Sequence, residues 1–139
     1  MKKQYILLID DDPDEFDFFL NALHKLPGLF ECGHATNADE AIIQLHEKAA
    51  DYIFMDMNMP AVNGLECTAK IKKTDGISDI PVFIYTTGYD ETLKKKAIQT
   101  GASGCVRKPS QPALLVAMLK NLYETGSPEL NGQGRNSIR

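Results

Sequence analysis

The sequence predicts an α/β domain: a five-stranded parallel sheet covered by helices on both faces. Short β-rich apolar runs recur five times, a segment of helical periodicity follows each, and 139 residues is the length of one domain with a real core. Parallel neighbours cannot be joined by a hairpin. They need crossovers, and right-handed crossovers place helices on both faces.

Each element has a local reason. Residues 5–9, YILLI, are too short and too β-rich for a helix and read as a buried strand. Asp12-Pro13-Asp14-Glu15 then starts a helix, with Asp12 as N-cap, Pro13 at the first helical position and Glu15 closing a capping box. Phe16, Phe19, Leu20 and Leu23 follow at helical spacing, and Pro27-Gly28 stops them. Residues 29–35 form a weaker strand. Asn37 caps the next helix, with Glu40 three residues on and Ala41, Ile42 and Leu45 as its apolar face. Residues 52–55 are a third buried run that ends at Asp56, and the turn-rich MNMPAVNG leads to a helix at about residues 65–73. Residues 81–85 form a fourth run that ends at Thr86. Asp90 caps a helix to about Thr100, Gly104–Arg107 is a short fifth strand that ends at Lys108, and Ser110 caps a last helix to about Glu124. The domain is expected over residues 1–124. Residues 125–139 are poor in apolar groups and read as a disordered tail.

Composition narrows the function. The chain is 43% hydrophobic and 24% charged with a formal net charge of −4, so it lacks the basic surplus that nucleic acid or an anionic membrane surface attracts. Cys32, Cys67 and Cys105 are dispersed, which fits reduced thiols in a cytoplasmic protein better than a disulfide frame or a zinc site. No secretory signal and no apolar stretch of transmembrane length is visible. His24, His34 and His46 lack metal-ligand spacing and are assigned structural or surface roles. DDDPDEFD resembles a calcium loop superficially, but it has neither the central glycine nor the glutamate that closes one.

The chemistry stands just past the strands. Asp10 and Asp11 follow the first, Asp56 the third, Thr86 the fourth and Lys108 the fifth. Sites in open α/β sheets form at the carboxyl ends of strands, so these groups are expected to converge. Asp12, Asp14 and Glu15 are assigned to the helix. Three carboxylates against one lysine are balanced by a divalent cation, and Mg²⁺ suits oxygen ligands, with Mn²⁺ as a substitute. A metal, a lysine and a hydroxyl around one carboxylate fit phosphoryl transfer, with the carboxylate as nucleophile.

The motifs ILLIDDDPDE, DYIFMDMNMPAVNG, IPVFIYTTG and GASGCVRKP resemble the receiver domain of bacterial two-component response regulators, over about residues 5–124. The resemblance implies a flavodoxin-like (βα)5 sheet in the order 2-1-3-4-5. It implies a phosphoacceptor signalling domain, not an enzyme acting on other substrates. Asp56 would take a phosphoryl group from a phosphohistidine on a sensor histidine kinase or a histidine phosphotransfer protein. Mg²⁺ would be held by Asp11, Asp56 and the Asn58 backbone carbonyl, with Asp10 acting largely through water. Thr86 and Lys108 would contact phosphoryl oxygens. It also implies a cis Lys108–Pro109 peptide.

No DNA-binding segment follows the receiver motifs. The expectation is a stand-alone receiver, monomeric or weakly dimeric, with no direct DNA or membrane binding and an unidentified downstream protein. Cys105 stands where the family usually has an aromatic ring, which shifts the expected switching role towards the segment after Thr86 and to Tyr89. A Mg²⁺-dependent aspartyl-phosphate phosphatase is the rival reading. Such enzymes usually carry an acid–base aspartate two residues after the nucleophile, and Asn58 occupies that position. A receiver that binds constitutively is disfavoured by the complete set Asp10, Asp11, Asp56, Thr86 and Lys108.

Overall fold

The computed structural model describes residues 2–130. Five strands and five helices alternate: β1 (Gln4–Ile9), α1 (Pro13–Leu23), β2 (Phe30–Ala35), α2 (Ala38–Glu47), β3 (Tyr52–Asp56), α3 (Gly64–Lys72), β4 (Val82–Thr86), α4 (Glu91–Thr100), β5 (Gly104–Arg107) and α5 (Pro112–Thr125). The sheet order is β2-β1-β3-β4-β5, with every pairing parallel. This is the flavodoxin-like doubly wound fold.

Strand alternation sorts the core into two layers. Leu7, Ile9, Ile53, Met55, Val82 and Ile84 face α2, α3 and α4, through Ala41, Leu45, Ile71 and Ala97. Ile6, Leu8, Phe54, Phe83, Tyr85 and Val106 face α1 and α5, through Phe19, Leu115, Leu119 and Leu122. Both faces are covered, which is why the central strands read as unbroken apolar runs. No helix among the described residues is long and apolar enough to cross a membrane.

Several local expectations are corrected. No peptide bond among the described residues is cis, so Lys108–Pro109 is trans. Trans is the lower-energy form by about 0.5–1 kcal/mol for an X–Pro bond. The Lys108 N–H stays in register with β4, donating to the Thr86 carbonyl at 2.8 Å, and the four-carbon stem alone carries the ammonium over the sheet edge. The N-cap of α5 is Gln111, not Ser110, with Pro112 at the start of the helix. A residue before proline is pushed out of the helical region, and Gln111 is accordingly extended at φ −116°, ψ 137°. Asp12 does cap α1, but its carboxylate accepts from the Asp14 N–H and Glu15 closes no capping box. The reciprocal box forms at Asn63 and Glu66 instead.

The tail expected over residues 125–139 overlaps the helical region at its start. Thr125 ends α5, and residues 126–130 pack back against the domain, with Pro128 buried. Residues 131–139 lie outside the described residues.

The Tyr85 side chain is fully buried, with its ring edge-on to Phe19 and Phe54. Its hydroxyl has no hydrogen-bond partner among the described residues. A buried unpaired hydroxyl is destabilising, and phenylalanine keeps the ring. Tyr85→Phe is therefore expected to raise stability by about 1 kcal/mol in denaturant unfolding. A loss of stability would contradict this packing.

Candidate functional site

The chain leaves β1 for β2 on one side and returns to β3 on the other. The β1/β3 boundary is thus the switch point of the sheet, where the crossovers diverge and open a crevice. Asp10 follows β1, and Asp56 is the last residue of the neighbouring β3. Both are nearly inaccessible, at 1% and 5% exposure, whereas Asp11 is exposed. One carboxylate oxygen from each of Asp10, Asp11 and Asp56 lies within 4.8 Å of the others.

Lys108 is brought to this cluster from the far strand. Its Nζ stands 3.0 Å from Asp56 Oδ1, 3.2 Å from Asp10 Oδ2 and 3.7 Å from Glu15 Oε1. It also lies 5.6 Å from the centre of the Tyr85 ring. Burial works to lower the Lys108 ammonium, but the attraction of Asp10, Asp56 and Glu15 outweighs it and the net direction is up. Burial pushes the Asp56 carboxyl above the ordinary carboxylate range. Lys108 and the Asn58 N–H pull it back, and Asp10 pushes it up further. Glu15 is likewise raised by burial, against Lys108.

The division of the acidic run needs one change. Asp12 and Asp14 serve the helix start, as the spacing predicts. Glu15 does not: Asp12 and Glu15 both line an open pocket of about 570 Å³ with Asp10, Asp11, Asp56 and Lys108, but of the two only Glu15 turns its carboxylate to Lys108, at 3.7 Å. A helical residue three places after its cap points back over the helix start, and Lys108 is the charge that it finds there.

Thr86 is buried at the end of β4, one strand from Asp56. Its hydroxyl accepts from the Gly88 N–H at 3.1 Å, and Thr87 rather than Thr86 lines the pocket in this state. Cys105 is buried in β5, and burial lifts its thiol to about 11. Tyr89 packs against the same core layer as Cys105, with its ring 5.3 Å from the Arg107 guanidinium and its hydroxyl donating to Glu91 at 3.2 Å.

Two supporting residues were not placed at the site from sequence, although His34 was assigned a structural or surface role. His34 Nε2 is 2.6 Å from the Asp10 carbonyl oxygen, and its ring stacks on Phe16 at 4.6 Å, so β2 and α1 together fix the backbone at Asp10. Gly64 starts α3 directly against the strand end. A Cβ there would overlap the Asp56 carbonyl oxygen and crowd Met57 Cα at 2.9 Å. The NG pair in MNMPAVNG carried that signal, but it reads equally as a turn. Between them, Ala61 is held at φ 68°, and the Val62 N–H donates to the Pro60 carbonyl at 2.7 Å. A left-handed alanine is strained, and here it lies in the loop that leaves the nucleophile candidate.

The donor set fits a hard divalent cation. Three carboxylates converge from two strand ends, all ligands are oxygen, and the pocket is open to solvent and its waters.

Comparison with known proteins identifies the family. The family model of the response regulator receiver domain matches residues 6–120. Response regulator UvrY of Escherichia coli is 29% identical over 118 residues, covering 85% of this chain and 53% of UvrY. The CpxR homolog of Haemophilus influenzae is 32% identical over 127 residues, covering 91% of this chain and 53% of the homolog. The chain thus spans about half the length of the curated relatives it matches. The signal receiver domain of a DNA-binding response regulator from Colwellia psychrerythraea superposes with a TM-score of 0.74 at 27% identity, covering 88% of this chain and all (100%) of that one. The Mn(2+)-bound form of response regulator Rcp1 shares the fold, with a TM-score of 0.73 at 19% identity over 91% of this chain and 96% of that one. With the receiver motifs standing on the matching strand ends, this chain belongs to the family of response regulator receiver domains.

Proposed function

We propose that Asp56 is the phosphoacceptor of this receiver, with phosphorylation controlling the binding of another protein or onward transfer of the group. The observation that carries the reading is the placement of Asp56. Among the described residues it is the one carboxylate that closes a strand, contacts Lys108 at 3.0 Å and shares a cation-sized cluster with Asp10 and Asp11. Asp10 is held from two other sides, by Lys108 and by the Asp12 N–H at 2.9 Å.

That geometry supports the following transfer. An Asp56 carboxylate oxygen attacks phosphorus, the P–N bond of a phosphohistidine on a sensor kinase or phosphotransfer protein breaks, and the electron pair returns to the imidazole nitrogen. Lys108 moves from carboxylate to phosphoryl oxygens, and Thr86 turns its hydroxyl from Gly88 to the same group. Asp10, Asp11, Asp56 and the Asn58 carbonyl would hold Mg²⁺, or Mn²⁺ in its place, and the bound cation would offset phosphoryl charge. Asn58 cannot act as an acid or base, so the acyl phosphate is not poised for rapid hydrolysis by a side chain at that position.

Incubation with a small phosphodonor and Mg²⁺ is expected to add one phosphoryl group by intact mass, and Asp56→Asn should abolish it. Full labelling of the variant would defeat the assignment. The raised Asp56 carboxyl has a stability consequence of definite sign. Ionising it is harder folded than unfolded, so the folded state is favoured at low pH and loses that advantage as pH rises through the raised value. Asp56→Asn is therefore expected to be more stable than the wild type at neutral pH, with the gain shrinking as pH falls towards about 4.

The acidic run gives a paired comparison. Asp11→Ala should weaken Mg²⁺ binding at least tenfold by removing a ligand. Asp12→Ala should cost about 1 kcal/mol of stability through the lost cap and leave Mg²⁺ affinity nearly unchanged. Equal losses of affinity in a metal titration would overturn that division.

The small Cys105 thiol offers little area to bury or expose between states, so Tyr89 and the segment after Thr86 are the expected carriers of the signal. Amide shifts with a phosphoryl mimic and Mg²⁺ should be larger over residues 86–92 than over 104–107. The reverse pattern, with Tyr89 unmoved, would refute this.

A further inference from the structure

The chain reverses after α5. Gly126 is left-handed at φ 81°, a conformation that a Cβ would strain. The residues that follow do not leave the surface. The Asn121 amide, on α5, donates from Nδ2 to the Ser127 carbonyl at 2.9 Å and to the Glu129 carbonyl at 2.8 Å, so one side chain holds both ends of a three-residue segment. Pro128, between them, is buried. The Glu129 carboxylate reaches across to α4, 3.7 Å from Lys94 Nζ. Leu130 forms one wall of a pocket of about 160 Å³ whose other walls include Lys108, Pro109, Leu114 and Met118.

Four consecutive residues are thus seated on parts of α4, α5 and the β5–α5 loop, each by its own chemistry. Leu114 is 49% exposed even so. The Lys94–Glu129 pair is about a third exposed on each side and contributes little, so this seat is specific but lightly held.

We propose that residues 127–130 are a built-in occupant of a docking surface formed by α5, the β5–α5 loop and Lys94 of α4, an autoinhibitory strap. The partner that fits is a protein segment of the same pattern: backbone carbonyls for Asn121, an acidic group for Lys94, and an apolar side chain for the wall of Leu114 and Met118. A tethered occupant acts at an effective concentration of the order of millimolar, so the strap excludes weak partners and yields to those that bind more tightly. This inference stands on the seating of the strap and does not depend on phosphorylation of Asp56.

Nuclear magnetic resonance of the full chain tests it. The double variant Glu129→Lys, Leu130→Asp changes only strap residues and leaves Lys94, Leu114, Met118 and Asn121 in place. The probe is a blocked synthetic peptide with the native sequence of residues 126–130. In the wild type, the Asn121 side-chain amide protons are expected to exchange at least tenfold more slowly than in the double variant. The peptide should shift Lys94, Met118 and Asn121 resonances in the double variant, saturating in the millimolar range, with a response at least fivefold smaller in the wild type. Equal exchange at Asn121 in the two chains would overturn the proposal. So would a peptide response that is the same in both chains or absent from both.

Discussion

The ion contact between Lys108 and the paired carboxylates of Asp10 and Asp56 is the interaction on which the rest of the structure depends. The two central strands end side by side in negative charge, with both aspartates buried. Buried like charges are costly unless an opposite charge meets them. Among the described residues, the cation placed to do so is Lys108, from the other edge of the sheet, held there by strand register: its N–H is locked to Thr86 of β4. Sheet order therefore decides the electrostatics of the site. A shift of β5 by one residue would turn Lys108 to the opposite face and leave the carboxylates uncompensated.

The surrounding fold is arranged to hold this unfavourable cluster still. Two fully buried apolar layers, one on each side of the sheet, leave the strands no freedom to splay. His34 and Phe16 fix the carbonyl of Asp10 from the β2 side, and Gly64 lets α3 start against the carbonyl of Asp56. The strained Ala61 and the burial-raised Asp56 lie within a few residues of each other. Such strain and charge persist where they serve function and are supported from elsewhere.

Much of this was legible in the sequence, for physical reasons. A strand buried on both faces must be a continuous apolar run, so YILLI, YIFM and PVFIY announce themselves, and the residue that follows each run must stand at the sheet's carboxyl edge. That logic placed Asp10, Asp56 and Thr86 at the sheet's carboxyl edge without coordinates, with Lys108 after the short fifth strand. It failed where direction rather than position mattered. Glu15 has the spacing of a capping box, but its side chain turns to Lys108. Ser110 is a good cap by type, but Pro112 forces Gln111 into that role. His34 is silent in sequence because its partner is a backbone carbonyl. Residues 126–130 read as tail because their seating depends on Asn121 and Lys94, which nothing in the local pattern connects to them.

The central claim is that Lys108 is the counter-ion that lets the two strand ends sit together. A double-mutant cycle in metal-free buffer at neutral pH, read by denaturant unfolding, tests it most directly. Lys108→Met is expected to cost about 3 kcal/mol, in the range for removing one partner of a buried charge pair. Adding Asp56→Asn to that variant should recover a substantial part of the loss, since one of the two buried carboxylates then no longer needs a partner. A Lys108→Met variant as stable as the wild type, or one that Asp56→Asn does not rescue, would contradict the account.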